Sequence, residues 1–574
     1  MLRNVLDVDF AVHKISVTSL RGAVLLFDFR AAFPSMDHSF MWDVLEGIGI
    51  PAQYVRMLQM FYTGNTHKIK IANEYFESIT VESGVRQGCP LSPLLFAICA
   101  DILLREIAEA LRGHELVRAF ADDTAAAVND YVKVIPALAT LFAEFESISC
   151  LALNIKKTVF IPLWKYSSER GLRNLITELA PSWRDIIIAA QGKYLGFWIG
   201  PGAGCQSWTK PLEKFEKRVL LWAKHNLGLL LTAITFNVFI CSVLSFVMQL
   251  EDLPADFSSK LAWALRRLVP GPGNWATPAD LCSLKEEFGF PSSFTNPVDL
   301  SLAAKLRVIE TVAPDCRDRC AELAFLDDAV LQGPFGNWHR NSYFGILSRA
   351  EEHLNRMGIS RAAVRRAISS PPSVGARRSF QATAVSLIRA KSGSRDQRLQ
   401  SKIARWGFPG SAADSSARIR SNFALIHRWC PPRVAAAYLR AVFNGWTTCR
   451  RMRHANAACQ CGFGRCLFGC ERGADSLEHY SVCEVVWQFI NSPRPGGMGV
   501  SIEPSTSSFF LMGTGSQDVD KIRTGLALYA VYRATNYMRH AAAHPGPRVD
   551  VVQLLRRWSR RGAESSRSRQ LLHP

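Results

Sequence analysis

The sequence predicts an α+β fold, and three observations carry that prediction. Residues 1–200 alternate short β-rich runs with helix-period stretches, hairpin chemistry joins two of the runs, and beyond residue 212 the apolar spacing is mainly helical. The chain has 574 residues, room for roughly three or four domains. Its 48% apolar and 20% charged shares suit buried cores and exclude wholesale disorder.

Residues 22–29 (GAVLLFDF) form an apolar run of strand length. Residues 41–48 and 54–61 read as helices, and residues 68–81 as a hairpin turning near Asn73-Glu74. A PGAG break at 201–204 precedes a mainly helical stretch, 212–268, which PGPG at 270–273 closes. Residues 275–450 read as helical, with basic interruptions at 369–378, 391–398 and 409–420 expected to be mobile linkers. A Cys/His cluster occupies 450–490. The arginine-rich tail from His544 has little apolar content and is expected to be partly disordered. The predicted segments are therefore 1–200, 201–273, 274–449, 450–490 and 491–574, with no internal repeat.

The net charge of +19 is unevenly placed. Residues 1–130 hold 11 Lys/Arg against 16 Asp/Glu, whereas residues 301–574 hold 40 against 19. A basic back of that size points to an anionic partner such as nucleic acid. Fifteen cysteines, five of them between Cys459 and Cys483, fit a reducing compartment with one local metal site better than a disulfide framework. Acids at Asp7 and Asp9 stand where a signal peptide needs its apolar core, so the expected location is intracellular, nucleus or cytoplasm. Residues 226–250 carry no charge and are long enough to cross a bilayer. Gly228, Asn237, Ser242, Ser245 and Gln249 interrupt them, which favours buried helices and no membrane partner.

Two acid sites stand out. Asp28 ends the run VLLFDF, and Asp122-Asp123 sit between residues 116–120 and 125–128, where a tight hairpin would hold both at its tip. Three carboxylates on neighbouring strand ends could hold two Mg²⁺ ions. An isolated Asp-Asp pair is far more often a plain polar turn.

The intervening sequence decides between them. Leu26-Phe27-Asp28-Phe29-Arg30-Ala31-Ala32-Phe33-Pro34-Ser35-Met36-Asp37-His38, then Ser83-Gly84-Val85-Arg86-Gln87-Gly88-Cys89-Pro90-Leu91-Ser92-Pro93, then Phe120-Ala121-Asp122-Asp123 resemble motifs A, B and C of a reverse transcriptase of the non-LTR retrotransposon type. Leu153-Asn154-Ile155-Lys156-Lys157-Thr158 is similar to motif D and Tyr194-Leu195-Gly196-Phe197 to motif E. The resemblance implies a right-hand polymerase palm, an antiparallel sheet with packed helices, followed by a helical thumb over 201–273. It implies Asp28, Asp122 and Asp123 as Mg²⁺ ligands, with the Phe29 carbonyl as a further one. Phe33 corresponds to the aromatic gate beneath the incoming sugar, or to a core Phe. Gln87 and Gly88 correspond to the loop against nucleotide and template, and Arg86 either joins them or is a surface cation. Lys157 corresponds to the lysine beside the triphosphate, with Lys156 as its competitor.

Two departures accompany the resemblance. Motif C has Phe120 where the common version has Tyr. Only 27 residues precede Asp28, too few for the fingers that bring basic contacts to the triphosphate, so an N-terminally truncated polymerase is expected.

Cys466-x3-Cys470-x8-His479-x3-Cys483 has the spacing of a CCHC zinc knuckle, and Cys459 or Cys461 are alternative ligands. Arg450, Arg451, Arg453 and Arg465 flank it, interleaved with Trp446, Phe463, Phe468 and Tyr480. That mixture suits single-stranded nucleic acid or, for the rings, the knuckle's own core. No PD…E-x-K set of metal-binding acids follows Cys483, and target nicking is not expected. The sequence thus predicts an RNA-directed DNA polymerase acting on an RNA template, a DNA primer or target and deoxynucleoside triphosphates. The alternative is an impaired remnant that only binds nucleic acid. The oligomeric state is left open.

Overall fold

The computed structural model describes residues 1–111, 115–273, 275–329, 342–369, 379–391, 395–452, 465–470, 473–493, 497–513, 517–542 and 550–563. The chain divides into two compact units. One comprises Met1–Lys210, Val247–Asp252 and Ser301–Ala384; the other comprises Pro211–Phe246, Leu253–Leu300 and Val385–Pro574.

The first unit is built on a five-stranded sheet of order β4-β5-β1-β6-β7. In chain order its first 200 residues give α1 (Leu2–Thr18), β1 (Ala23–Phe27), α2 (Ala32–Ser35), α3 (His38–Gly47), α4 (Ala52–Tyr62), β2 (Thr66–Ile71), β3 (Glu74–Thr80) and α5 (Ser92–Ala110). There follow β4 (Leu116–Phe120), β5 (Asp123–Val128), α6 (Tyr131–Ser149), β6 (Val159–Pro162), α7 (Glu169–Leu179), β7 (Ile187–Ile188), β8 (Gly192–Tyr194) and β9 (Phe197–Ile199). β1 is antiparallel to both β5 and β6, while β7 adds in parallel to β6. The predicted antiparallel sheet therefore carries one parallel edge strand.

β1 is buried along its whole length, so its residues read as a continuous apolar run with no alternation. One face, with Leu25, Phe27, Ala126, Val128 and Phe160, shares a core with Leu103 and Ile107 of α5 and Leu138 and Phe142 of α6. α1 packs against β1, β4 and β5. It buries Val5, Leu6, Val8 and Val12, and also Asp9 and His13. No helix is expected here from the sequence, because Asp7, Asp9 and His13 interrupt the apolar period that the buried side chains follow. The β2–β3 hairpin forms a separate exposed sheet and turns through Ala72 and Asn73, both at positive φ, one residue earlier than expected.

The second unit is helical. Ala412–Trp429, Pro432–Val442 and Asp518–Ala542 pack on one another. The Asn422 amide donates to the Leu511 carbonyl at 2.8 Å and the Tyr438 hydroxyl to that of Phe510 at 3.0 Å. Three expectations need correction here. The 409–420 interruption is helix from Ala412, because the Ser411 side chain caps the Asp414 amide at 3.0 Å and Ile419, Phe423 and Ile426 keep a buried helical period. In the 391–398 stretch, helix resumes at Arg395. In the tail, Val551–Gly562 is a helix whose Leu554, Leu555 and Trp558 are buried, four or fewer residues apart on one face; its arginines hid that stripe in the composition. Residues 370–378, 543–549 and 564–574 lie outside the described residues.

The uncharged stretch at 226–250 breaks into Leu229–Thr235, a π-turn at Phe236–Ile240 and short 3₁₀ turns. Among the described residues no helix is long and apolar enough to cross a membrane.

Candidate active site and metal centre

The sheet register assembles the three acids. β1 pairs Phe27 with Thr124 of β5, so Asp28 and Asp123 are the next residues beyond that last pair, near enough for their charges to interact. β4 pairs Phe120 with Asp123, which leaves Ala121 and Asp122 as the two-residue hairpin tip. So tight a loop needs positive φ at a central residue, and Ala121 takes +56°. A non-glycine residue held there stores strain of about 1–3 kcal/mol, a pattern common at functional sites.

These carboxylates repel one another. The Asp123 carboxyl is held above the ordinary carboxylate range, first by loss of water, then by the Asp122 and Asp28 charges, with Lys193 pulling the other way. Asp28 Oδ2 is buried without a hydrogen-bond partner, and Lys157 Nζ lies 3.8 Å from it. An orphaned carboxylate oxygen beside a carboxyl raised by like charge is an arrangement that a hard cation would relieve, so these residues fit Mg²⁺.

The segment after α6 fixes this strand end. The Asn154 amide donates to the Asp28 carbonyl at 2.7 Å and the Arg30 amide to the Ala152 carbonyl at 2.8 Å. They flank the Phe29–Leu153 bridge, a non-hydrogen-bonded pair that leaves the Phe29 carbonyl outside the ladder. The turn that starts at Asn154 carries Lys157 back toward Asp28, with the Lys157 amide on the Asn154 carbonyl at 3.0 Å.

The loop between β3 and α5 is bound to the loop after β1 through backbone. Gly84 donates to the Met36 carbonyl at 2.7 Å and Val85 to that of Phe33 at 2.8 Å, while the Gly84 carbonyl meets His38 Nε2 at 2.9 Å. Gly84 has φ +85°, and a Cβ there would sit 2.6 Å from Pro34 Cα. Phe33 is half-buried and stacks on Phe96, centroids 4.6 Å apart. Gln87 and Gly88 form an exposed turn, with Gly88 at φ +89° and open space about it. Arg86 departs from the nucleotide-facing expectation: its guanidinium bonds the Phe61 carbonyl and the Asn65 side chain and lies over the Tyr62 ring. It anchors the loop to the end of α4. Sequence reasoning missed Lys193, a cation acting on Asp123; its signal was adjacency to Tyr194-Leu195-Gly196-Phe197.

Of the four residues expected to ligate zinc, three come together in a group that could hold a metal ion. Cys466, His479 and Cys483 converge, with ligand atoms within 4.8 Å of one another. Cys470 is half-buried and lies outside this group, and Cys459 and Cys461 lie outside the described residues. The Cys466 and Cys483 sulfurs are 3.8 Å apart, far beyond a disulfide bond and close to the edge of a tetrahedron with Zn–S bonds of about 2.3 Å. The Cys466 thiol is drawn down to about 7 by the Cys483 thiol, with help from the Phe468 and Cys470 amides, while Cys483 is pushed up. His479 Nε2 is buried with no hydrogen-bond partner, and a Cβ on Gly473 would overlap its ring. Below the cluster the fully buried Asp475 accepts from Tyr480 and Arg539, each at 2.6 Å. Trp446, Phe468 and Tyr480 are buried, so those rings are core and not stacking platforms.

Residues 2–199 match the family described as reverse transcriptase (RNA-dependent DNA polymerase). The Pol polyprotein of the type-2 retrotransposable element R2DM of Drosophila melanogaster is 34% identical over 101 residues, 17% of this chain and 10% of that protein. The type-1 element R2 of Popillia japonica gives 32% over 146 residues, 24% of this chain and 20% of the relative. The transposon TX1 149 kDa protein of Xenopus laevis gives 27% over 208 residues, 34% of this chain and 15% of the relative. The matches thus span a fifth or less of each of these relatives. Residues 2–199 therefore resemble the RNA-directed DNA polymerase domain of retrotransposon Pol proteins, in keeping with the non-LTR type expected from the motifs.

Proposed function

We propose that the chain is an RNA-directed DNA polymerase of a non-LTR retrotransposon, extending a DNA 3′ end on an RNA template. The observation that carries this reading is the register that brings Asp28, at the end of β1, close to Asp122 and Asp123 at the tip of the β4–β5 hairpin, within the segment that resembles a reverse transcriptase. Two Mg²⁺ ions, when bound, would activate the attacking hydroxyl and neutralise the leaving pyrophosphate. The chain's own part is positioning. Asp28, Asp122 and Asp123 hold the cations, and Lys157, beside Asp28, is placed to neutralise or protonate the leaving group. The ring of Phe33 and the backbone of Gly88 border the sugar and base. Zn²⁺ at Cys466, His479 and Cys483, with Cys470 or another thiol as fourth ligand, would contribute folding free energy to the second unit.

The test is primer extension by the full chain on an RNA template with Mg²⁺. Asp122→Ala and Asp123→Ala are each expected to lower incorporation at least about 100-fold while leaving RNA binding intact. A second reading, binding without polymerisation, is favoured by the engagement of Arg86 with α4 and the basic residues beyond 300. It requires that the wild-type chain incorporate no nucleotide with Mg²⁺ or Mn²⁺ yet bind RNA with a steep salt dependence.

A further inference from the structure

We infer that the second unit carries a binding cleft for single-stranded nucleic acid, separate from both the acid cluster and the Cys/His centre, formed by the Asp518–Ala542 and Val551–Gly562 helices with residues 226–232, 268–271 and 440–447. The cleft has a volume of about 600 Å³, within the range of small-ligand sites, so a base with its phosphate is of suitable size.

Its chemistry is one-sided. Arg440, Arg533, Asn226, Asn536, Tyr537 and Trp558 line it, and among the described residues no carboxylate does. The Arg533 guanidinium lies 4.3 Å from the Trp558 ring centroid, and that of Arg440 lies 4.4 Å from the Trp275 centroid. Stacking fixes each guanidinium plane while leaving N–H edges available, the geometry that suits phosphate oxygens. One Arg440 nitrogen bonds the Pro270 carbonyl at 3.0 Å. Among the described residues neither arginine is within ion-pair range of a carboxylate, unlike Arg389 and Arg539 of the same unit, which are paired with Glu286 and Asp475. Arg561 also lies over this indole, 5.0 Å from its centroid.

The second observation is a buried donor without a partner. Trp558 is 8% exposed, and its Nε1 makes no hydrogen bond. An indole N–H can only donate, so its missing partner is an acceptor. Tyr537, by contrast, exposes 41% of its surface at the cleft, a ring free to stack on a base. The amides of Asn226 and Asn536 can meet base edges. An acidic peptide would use the arginines but not the exposed ring, and that difference decides between the two occupants. The inference does not depend on the polymerase reading.

The experiment measures binding of a labelled single strand of about 15 nucleotides by fluorescence anisotropy, on the full zinc-supplemented chain without Mg²⁺ or nucleotide. RNA and DNA of one sequence are run in parallel, so the tighter strand identifies the source. Arg533→Gln and Arg440→Gln, which keep much of the side-chain volume, are each expected to weaken binding about 5- to 10-fold and to reduce the log–log salt slope by about 0.7. Tyr537→Ala is expected to weaken binding at least about 5-fold with the slope unchanged. The inference is overturned if variants with wild-type thermal melts bind with wild-type affinity and slope. It is also overturned if polyglutamate displaces the strand as well as unlabelled RNA does. Because no incorporation is read, failure here is distinct from failure of the polymerase reading.

Discussion

Asp123 is a carboxylate in an unfavourable place, and the direction of that cost can be measured. Burial and the charges of Asp122 and Asp28 raise its pKa above the ordinary value. A raised acid leaves the fold most stable below the unfolded-state pKa, and stability is lost as pH rises through the folded-state value. In metal-free protein Asp123→Asn should therefore raise Tm at pH 7, and the gain should vanish on acidification below the carboxylate range. Mg²⁺ should raise the Tm of the wild type and do so less for the variant, since a ligand is gone. Thermal melts across pH with and without Mg²⁺ read both effects, and equal Mg²⁺ shifts in the two proteins would remove Asp123 from the ligand set. The neighbouring lysines separate in the same way. Lys157 Nζ stands 3.8 Å from Asp28 Oδ2, whereas no ion pair ties Lys156 to an acid among the described residues. Lys157→Ala is expected to lower primer extension about 100-fold, and Lys156→Ala by no more than about 3-fold, in single-turnover incorporation. A larger loss for Lys156 would reverse the assignment.

At the scale of elements, the loops after β1 and before α5 behave as one joint, because their hydrogen bonds run backbone to backbone through Gly84. Gly84→Ala forces a positive φ on a side chain and drives its Cβ into Pro34, and should cost about 3 kcal/mol or more. Gly88 shares the positive φ but has open space, so Gly88→Ala should cost only about 1 kcal/mol while impairing nucleotide incorporation. Urea unfolding separates the two, and equal costs would refute the joint. Local pattern showed the sequence's elements unevenly. The run at 22–29 was legible as an unbroken apolar stretch of strand length, and the helices near 41–48 and 54–61 by their helical period. The amphipathic tail helix and the Ala412–Trp429 helix were not, since arginine and serine content masked a one-sided apolar stripe. Among the candidate site residues, Asp28, Asp122, Asp123 and Lys157 were legible because each falls inside a motif, and the sheet order β4-β5-β1-β6 sets the strands beside those motifs next to one another. Lys193 and the orientation of Arg86 were not, because each depends on which element packs opposite. A zinc-centre counterpart is Gly473, whose lack of a Cβ makes room for His479. Gly473→Ala should reduce bound zinc per chain in a chelator assay, and full retention would argue against His479 as a ligand.

For the molecule as a whole, the feature least legible in sequence is that one unit is stitched from three distant segments. Tyr343 donates its amide to Asp9 at 2.8 Å and its hydroxyl to Glu251 at 3.1 Å, joining positions 334 and 92 residues apart. Lys305, 1% exposed, bonds the Glu251 carbonyl at 2.9 Å and pairs with Asp252 at 3.2 Å. No local pattern encodes such a meeting; it follows from topology. The cost of gathering charge there falls on Glu251, whose carboxyl burial pushes up to about 7, against help from Ser207 and Tyr343 hydrogen bonds. The unfolded-state value is that of an ordinary glutamate. The carboxylate thus weakens the fold progressively from about pH 4.5 to about pH 7, by at most about 3 kcal/mol, and by a constant amount above. Glu251→Gln keeps an acceptor for Tyr343 and removes the titration. Its unfolding free energy relative to the wild type should be unchanged near pH 4, rise through that window and level off above pH 7 in urea melts. A difference that is flat with pH would show that Glu251 stays ionised in the fold, with Lys305 compensating its charge in full.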